Sequence, residues 1–545
     1  MNDTLFTITV FIALLLIASV VAMATKWIRV PYTLALVIIG LVISPMHFLP
    51  VVHISPELIL LIFLPALLFE AAWNLKLEHL RENLLPILAL AIVGVTIAVG
   101  IIGSVLHFGI GMAWPPALLF GAMISATDPV SVLALFKKLG APKRLTTIVE
   151  GESLFNDGTA VVVFRIILGI VIGTTAGTTG ELALHSLREF SLVVFGGLAV
   201  GAIIGIIASV LTSYFDDHLL EITLTTIVAY GSFLLAESMH VSPVIAVLIA
   251  GLILGNFGRQ RGMSPTTQVA VNSFWEYAAF VVNSLVFLLI GLEVQLPTLL
   301  DNKWTIAWAV MAMLAGRLVS VYGLMPLTNR FSEHIPFRWQ HVLLWGGLRG
   351  SLSIALVLSL PSNLPGRAEL VVLIFGTVIF SLLVQGLTIS PLIKWLGLAT
   401  LDPRMKEYEL AHGRLLAETA ALAELDNLRN RGMVTERVYH SIYSRLSHKQ
   451  QELSKQLAKV DVGDISVETL QKRRLLRHLI NEKKARLGLL LREGLISEAS
   501  HHELNMTLDE ELAKLYEELH EPDGSEDVSA EAMDEGGNGV HGEAG

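Results

Sequence analysis

The sequence predicts an all-α membrane protein, built from about thirteen transmembrane helices and ending in a helical cytoplasmic tail. Of its 545 residues, 53% are hydrophobic and only 16% are charged, whereas about a quarter of the residues of a soluble domain are charged. The charges are unevenly placed, because the last 145 residues carry 47 of them and the first 400 carry 39. We therefore predict a transmembrane domain over residues 1–400, a helical cytoplasmic domain over residues 401–520 and an acidic, disordered tail over residues 521–545.

The apolar segments before residue 400 have the lengths expected of membrane-crossing helices, which need about 18 residues or more. In chain order the predicted spans are Leu5–Thr25, Tyr32–Phe48, Pro56–Trp73, Leu84–Phe108, Pro115–Phe136, Thr146–Ile172, Phe190–Leu211, Leu219–Glu237, Pro243–Phe257, Gln268–Val294, Trp304–Met325, His341–Leu360 and Leu370–Leu396.

Lysine and arginine in the short loops predict the orientation, because these residues are enriched on the cytoplasmic side of membranes. Alternate loops hold twelve of them, namely Lys26, Arg29, Lys76, Arg81, Lys137, Lys138, Lys143, Arg144, Arg259, Arg261, Arg330 and Arg338. The opposite loops hold only Arg188, Lys303 and Arg367. The N-terminus is therefore predicted outside and the charged tail in the cytoplasm, which requires an odd number of crossings.

Thirteen spans divide into two sets of six with opposite orientations, joined by a linker helix. Secondary transporters are built from such inverted repeats, and their sites lie where discontinuous helices meet near the bilayer midplane. The fifth and twelfth spans occupy equivalent places in the two sets, and each contains a helix-breaking stretch with a charge: Thr127–Pro129 and Gly346–Gly350. The sequence thus predicts two crossed, discontinuous helices.

Ionisable residues within the predicted spans are costly, at about 2.5–3.5 kcal/mol each on insertion scales, and usually have a partner or a function. For Arg165, Glu276 and Arg317 we favour an ion pair or a side chain that reaches the membrane interface. The full set is Glu70, Asp128, Glu150, Glu152, Asp157, Arg165, Glu276, Arg317 and Arg349.

The sixth span concentrates polar residues over Glu150–Gly158. On a helix, Glu150, Ser153 and Asp157 share one face, which offers oxygen ligands. Glu152 and Asn156 lie on the neighbouring face, which offers a carboxylate to an arginine.

The fifth span should leave one backbone carbonyl without its helical partner. Pro129 has no backbone N–H, so the carbonyl of Ser125 must be satisfied by protein, water or an ion. Carboxylate, hydroxyl and free carbonyl oxygens together suit a hard monovalent cation, by the reasoning used for hard divalent ions.

Composition and motif context exclude or disfavour other classes. The net charge of −10 offers no basic surface to nucleic acid, and the absence of cysteine removes disulfides, thiolate metal sites and thiol nucleophiles. No cofactor is indicated. An intramembrane aspartyl protease would need a Gly-x-Gly-Asp motif, but Asp128 and Asp157 stand in Thr-Asp-Pro and Asn-Asp-Gly. An ion channel, which would pass current without proton coupling, or a transporter-derived sensor stays open as the other alternative.

Five motifs resemble those of the NhaP/NHE-type sodium–proton antiporters, the first family of monovalent cation:proton antiporters, in their bacterial form. They are Leu64–Glu70, Ala126–Val130, Glu150–Gly158, Phe274–Glu293 with its Phe-Trp-Glu and Gly-Leu-Glu ends, and Trp345–Gly350. The motifs occur in family order and span nearly the whole membrane part, and the tail takes no part in the resemblance.

The resemblance implies a secondary active transporter, not an enzyme, that exchanges Na+ for H+ across the cytoplasmic membrane and serves pH and sodium homeostasis. It implies a homodimer in the lipid bilayer, with a dimerisation domain and a moving core domain in each protomer. The ligand chemistry does not distinguish Na+ from Li+ or K+.

The resemblance also assigns roles to the motif residues. Asp157 would bind the cation and the proton alternately, and Ser153, Thr127 and Asp128 would complete the Na+ site, with Glu70 nearby or acting through water. Asn156 implies electroneutral exchange. Glu152 and Arg349 would form a structural ion pair beside the crossed helices.

After Leu401, apolar residues recur at helical spacing in four segments. These are Leu410–Leu428, Val434–Leu457, Leu470–Leu491 and Leu504–Leu519. The basic patch Lys472–Arg474 is interpreted as a solvated face rather than a lipid contact. His440, His448, His478, His501 and His502 are interpreted as surface residues rather than a pH sensor.

Overall fold

The computed structural model describes residues 2–25, 27, 31–44, 57–172, 179–214, 217–294, 296–399 and 403–457, with short pieces between residues 475 and 508. The chain divides into two units, Met1–Leu401 and Asp402–Gly545. Helices make up almost all of the described residues, and these residues form no strand. The predicted acidic tail over residues 521–545, the patch Lys472–Arg474, His478 and His502 lie outside the described residues.

The first unit contains fifteen main helices among its described residues. They are α1 (Asn2–Ala24), α2 (Tyr32–Ile43), α3 (Leu58–Asn74), α4 (Leu84–Ile110), α5 (Trp114–Ser125), α6 (Val130–Leu139), α7 (Lys143–Ile172), α8 (Thr179–Leu211), α9 (His218–Ser238), α10 (Pro243–Gly258), α11 (Pro265–Glu293), α12 (Lys303–Thr328), α13 (Phe337–Trp345), α14 (Ser351–Leu358) and α15 (Arg367–Trp395). Three short helices, Leu77–Glu82, Arg259–Gly262 and Leu296–Asp301, lie in the connections.

Eight helical segments of the described chain are long and apolar enough to cross a membrane, and four more apolar helices are shorter. The all-α membrane class is therefore confirmed. Each predicted span overlaps at least one of these helices, and the twelfth consists of two short ones, α13 and α14, separated by the predicted glycine-rich break. The count of thirteen crossings and their inverted repeat stay predictions.

Local residues determine several helix ends. Asp217 accepts hydrogen bonds from the backbone N–H groups of Leu219 and Leu220, at 2.8 and 3.1 Å, and so caps the start of α9. Ser242 caps α10 in the same way, followed by Pro243 at the first helical position. Gly140 ends α6 in the left-handed conformation that glycine adopts without strain.

The helices of the first unit form two bundles. The crossing bundle comprises α4–α7 and α12–α15, that is, residues 84–172 and 303–395, and contains both interrupted spans. The flanking bundle comprises α1–α3 and α8–α11, that is, residues 2–74 and 179–293. Packing within each bundle is extensive, whereas the contacts between the bundles are sparser. The fold therefore has a natural plane of separation.

The flanking bundle is locked where α2 crosses α11. A Cβ placed on Gly40 would lie 2.6 Å from the carbonyl oxygen of Leu288, and one on Gly291 would collide with the Val37 carbonyl oxygen. Only glycine permits this approach, because any side chain would force the two backbones apart. About two turns away along both helices, the hydroxyls of Tyr32 and Ser284 are hydrogen-bonded at 2.7 Å.

Two polar contacts between described residues join the two bundles. The hydroxyls of Thr33 on α2 and Ser131 on α6 form a buried hydrogen bond. Arg165 on α7 donates to both carboxylate oxygens of Glu237 on α9, at 3.1 and 2.8 Å, with both side chains about two-fifths exposed. The ion-pair interpretation of Arg165 is thus confirmed. Glu276 lies exposed on α11.

The second unit contains α16 (Pro403–Asn430) and α17 (Glu436–Leu457), which pack against each other. The Tyr439 hydroxyl donates to Asp426 at 2.7 Å, and this bond to the carboxylate raises the pKa of Tyr439. Arg429 stacks over the Tyr439 ring and pairs with Glu436 at 2.9 Å. These contacts stabilise the turn between the two helices. His440 and His448 are exposed, as expected of surface residues.

Candidate functional site

The two interrupted spans meet in the crossing bundle. Helix α5 ends at Ser125, residues 126–129 are non-helical, and residues 346–350 likewise separate α13 from α14. The backbone N–H of Asp128 donates to the carbonyl oxygen of Leu348 at 2.7 Å, so the two breaks are in direct contact. A Cβ on Gly350 would lie 2.6 Å from the Asp128 Cβ, and only glycine allows this contact.

The freed carbonyl of Ser125 is satisfied by protein. It accepts from Nη1 of Arg349 at 2.7 Å and from Nδ2 of Asn156 at 2.9 Å. A carbonyl oxygen has two lone pairs, so both are engaged and neither is left to bind a cation. This outcome narrows the predicted ligand set to the hydroxyls, the carboxylates and the remaining backbone.

The predicted ion pair between Glu152 and Arg349 is wrong, because Glu152 pairs with Arg317 of α12. Nη1 of Arg317 lies 2.7 Å from Oε1 of Glu152, and its Nη2 lies 2.9 Å from Oε2, a bidentate geometry with both side chains buried. Arg349 instead donates to the carbonyl oxygens of Ser125 and Ala126. The free carbonyls at the C-terminal end of α5 form a negative end of a helix that attracts the guanidinium.

In each interrupted span, the C-terminal end of the first helix is therefore contacted by an arginine. Arg349 covers the C-terminal carbonyls of α5, and Arg317 donates through Nε and Nη2 to the Leu343 carbonyl near the end of α13, at 3.2 and 2.9 Å. Two buried cations stabilise the two broken ends, and one of them also neutralises Glu152. The ion-pair interpretation of Arg317 is therefore confirmed, although its partner was not predicted.

This arrangement predicts opposite double-mutant behaviour for the two arginines. Arg317→Ala leaves Glu152 buried without its partner, which costs on the order of 3–5 kcal/mol of stability. We expect Glu152→Gln to restore much of the lost thermal stability in Arg317→Ala and none of it in Arg349→Ala. Melting temperatures of detergent-solubilised single and double mutants check this. Equal rescue of both arginine variants would contradict the pairing.

A cavity of about 240 Å3 lies beside the crossing, between the two bundles. The crossing bundle lines it with the polar side chains of Thr127, Asp128, Glu150, Ser153, Asp157 and Ser351. The flanking bundle contributes Glu70 of α3 and Asn283 of α11, together with apolar residues. The structure thus brings five of the six predicted cation-site residues to one space, and Asn156 is the exception.

Asp157 is the carboxylate of this cavity that has a fully buried oxygen without a partner. Its Oδ1 atom makes no hydrogen bond in the described part of the protein. A bare negative charge is costly in such surroundings unless a counter-ion or a proton neutralises it. By contrast, Asp128 accepts from the Val130 N–H at 2.9 Å and so caps α6.

The hydroxyls around Asp157 form a connected set. The Ser153 hydroxyl donates to the carbonyl oxygen of Thr127, and the Thr127 hydroxyl donates to the Ser153 hydroxyl oxygen at 3.2 Å. Asn156 does not line the cavity, and its Nδ2 donates instead to the Thr127 hydroxyl at 3.2 Å. Asn156 therefore acts geometrically as a tie between α7 and the broken end of α5.

Glu70 faces the same cavity from the flanking bundle. Its Oε1 atom accepts from Nδ2 of Asn74, one helical turn further along, at 2.8 Å. Among the described residues, no group of three or more His, Cys, Asp or Glu side chains is spaced closely enough to form a zinc-type site. The cavity offers oxygen ligands, including a buried carboxylate oxygen without a partner, and these suit a small hard cation or a proton.

The sequence and the fold both match a known family. Residues 11–395 match the family model described as sodium/hydrogen exchanger, transmembrane. The chain is 44% identical to the low-affinity Na+/H+ antiporter NhaS1 of Synechocystis, over 84% of this chain and 85% of that protein. It is 46% identical to the Na+/H+ antiporter ApNhaP of Aphanothece halophytica, over 73% and 76%.

A solved structure shares the fold of the membrane part. The sodium proton antiporter MjNhaP1 of Methanocaldococcus jannaschii superimposes with a TM-score of 0.61 at 20% identity, covering 73% of this chain and all of that one. The family model spans most of the chain, and the motifs noted above lie within it. The chain therefore belongs to the sodium/hydrogen exchanger family.

Proposed function

We propose that this protein is a secondary active antiporter that exchanges Na+ for H+ across the cytoplasmic membrane, with Asp157 binding the cation and the proton in turn. The observation that carries the proposal is the cavity in which the unpartnered Asp157 oxygen lies beside Ser153 and Thr127. The Na+/H+ antiport named for the relatives supports it. No chemical bond of a substrate is broken, so the protein is proposed to be a transporter rather than an enzyme.

Exchange follows from competition for a single carboxylate. Asp157 can be neutralised by Na+, with Ser153, Thr127 and Asp128 supplying further oxygens and Glu70 lying nearby, or by a proton. The unloaded carboxylate would carry a bare charge through the protein, which burial makes costly. The loaded states therefore cross and the empty charged state does not, and this couples the two ion movements.

The two bundles provide the movement. All the crossing-bundle ligands lie in residues 84–172 and 303–395, so a rigid shift of that bundle against the flanking bundle would carry the site with its ligands intact. Arg349, Arg317 and Asn156 hold the broken helices together within the moving part. The buried Thr33–Ser131 hydrogen bond and the Arg165–Glu237 pair lie on the sliding surface.

The finer assignments belong to the same proposal. Asn156 is neutral, so one proton or one monovalent cation balances the charge of Asp157, and exchange is electroneutral. Oxygen ligands bind Li+ and K+ as well as Na+, so either ion can replace Na+. We propose thirteen crossings in two inverted repeats, an outside N-terminus, a cytoplasmic tail and a homodimer in the inner membrane. The role is pH and sodium homeostasis, with no cofactor and no nucleic-acid partner.

Transport by inverted membrane vesicles tests the proposal. With the vesicle interior acidified, we expect added Na+ to dissipate the pH gradient, and the apparent KM for Na+ to fall as pH rises because fewer protons compete for Asp157. A K+/valinomycin clamp of the membrane voltage should leave the rate unchanged. Li+, K+ and Ca2+ are compared in parallel. A Na+-dependent current without proton movement would favour the channel alternative and contradict the proposal.

A further inference from the structure

Asn283 is a polar side chain of the cavity that lies between the two ends of the fourth motif, Phe274–Glu293, and has no role assigned to it by the resemblance. It lies in α11 of the flanking bundle and lines the cavity that holds Asp157. Its neighbour Ser284 is hydrogen-bonded to Tyr32, and α11 is locked to α2 at the Gly40–Gly291 crossing. The amide is therefore held on the bundle that does not contain the crossed helices.

The Asn283 amide has no hydrogen-bond partner among the described residues, although it is half-buried. The amide borders the cavity and is not one of the fully buried unpartnered groups of the described residues, so an ion that enters the cavity can reach it. Its carbonyl oxygen is an acceptor and a ligand type that hard cations take. Its position in the cavity makes a cation bound at Asp157 the candidate.

The crossing-bundle oxygens are already partly engaged. The Thr127 carbonyl accepts from Ser153, the Thr127 hydroxyl accepts from Asn156, and Asp128 accepts from the Val130 N–H. Since a hard cation takes about six oxygens, a further ligand from the facing bundle completes the set. Glu70, the other polar side chain that the flanking bundle brings to the cavity, is bonded to Asn74.

We propose that Asn283 is an affinity-determining ligand that contacts the cation in only one of the two transport states. The inference rests on the proposed antiport function. The crossing bundle carries its own ligands wherever it moves, but Asn283 stays with the flanking bundle. A contact made in one state alone strengthens binding in that state alone.

Under the predicted orientation, two residues that line the cavity lie toward the cytoplasmic ends of their helices. Glu70 lies one turn from the end of α3, which is followed by the loop with Lys76 and Arg81. Glu150 lies two turns from the start of α7, which begins at Lys143. We infer from these two lining residues that the cavity reaches toward the side where the basic loops lie. Asn283 therefore serves the cytoplasmic-facing site.

The test compares the apparent KM for Na+ on the two faces, using inverted and right-side-out vesicles. We expect Asn283→Ala to raise the cytoplasmic KM by about tenfold, as loss of one bond to a charged group would, and to leave the outer KM and the maximal rate within about twofold. Asn302→Ala, an asparagine outside the cavity, is the matched control and should change neither face.

Asn283→Asp keeps the shape and adds a charged oxygen, so it should lower the cytoplasmic KM and not the outer one. This variant decides the matter if the alanine variant does not fold. An equal change on both faces, or none, would overturn the inference while wild-type exchange keeps the proposed function intact. Absence of Na+/H+ exchange in the wild type would instead reject the proposed function itself.

Discussion

Asp157→Asn is expected to abolish pH-dependent Na+ flux while leaving the protein folded in the membrane. The amide is nearly identical in shape to the carboxylate, so packing around α7 and the cavity is preserved. The amide can neither release a proton nor neutralise a cation, so the substitution removes the group that we propose couples the two ions. Because Oδ1 is buried and unpartnered, the neutral side chain is tolerated at this position at least as well as the charge.

The measurement is Na+-driven dissipation of a pH gradient in vesicles, with expression and melting temperature recorded for the same preparation. Asp217→Asn is the matched control, because asparagine also caps helix starts and Asp217 lies at the start of α9, away from the cavity. We expect that variant to exchange ions at the wild-type rate. Retained exchange by Asp157→Asn would reject the assignment of the central carboxylate.

The breaks in the fifth and twelfth spans were predictable because their cause is local. Pro129 removes a backbone donor, and the glycines of Gly346–Gly350 weaken a helix wherever they occur. The sharing of one helix face by Ser153 and Asp157 follows equally from the helical period. Both features depend on neighbours within a few residues, and the structure places them as expected.

The partner of Glu152 was not predictable in the same way. Arg317 lies 165 residues further along the chain and outside every motif. In the sequence it is only one of several charged residues that are costly to place in a membrane span. Arg349, which belongs to a motif, is the more obvious partner. The choice between them depends on where the C-terminal carbonyls of α5 come to lie, and only the packed fold determines that.

Asn283 was missed for a related reason. A single uncharged asparagine costs less free energy in a membrane helix than a charged residue does, so the sequence does not single it out. It lines the same cavity as Asp157 but from the other bundle, and no periodicity in the sequence indicates the boundary between the bundles. The sequence therefore predicts the cavity residues of the crossing bundle better than those of the flanking bundle.

A disulfide between the two bundles is expected to stop transport reversibly. The hydroxyls of Thr33 and Ser131 are hydrogen-bonded across the boundary, so cysteine sulfurs at the same positions would lie within reach of each other. The protein has no cysteine of its own, so oxidation of Thr33→Cys/Ser131→Cys can form no other internal disulfide. If the crossing bundle must slide past α2, the cross-linked protein should lose exchange, and dithiothreitol should restore it.

A cross-link within the crossing bundle is the control, because it undergoes the same oxidation without immobilising one bundle against the other. A Cβ built on Gly94 lies 3.6 Å from the Cβ of Ser320, a separation typical of disulfides. Gly94→Cys/Ser320→Cys should therefore cross-link and still exchange Na+ for H+, because both positions move together. The disulfide of the oxidised Thr33→Cys/Ser131→Cys protein is verified by mass spectrometry. Full exchange by this cross-linked protein would mean that the bundles do not slide at this contact. The ions would then have to reach Asp157 by motion within the crossing bundle alone.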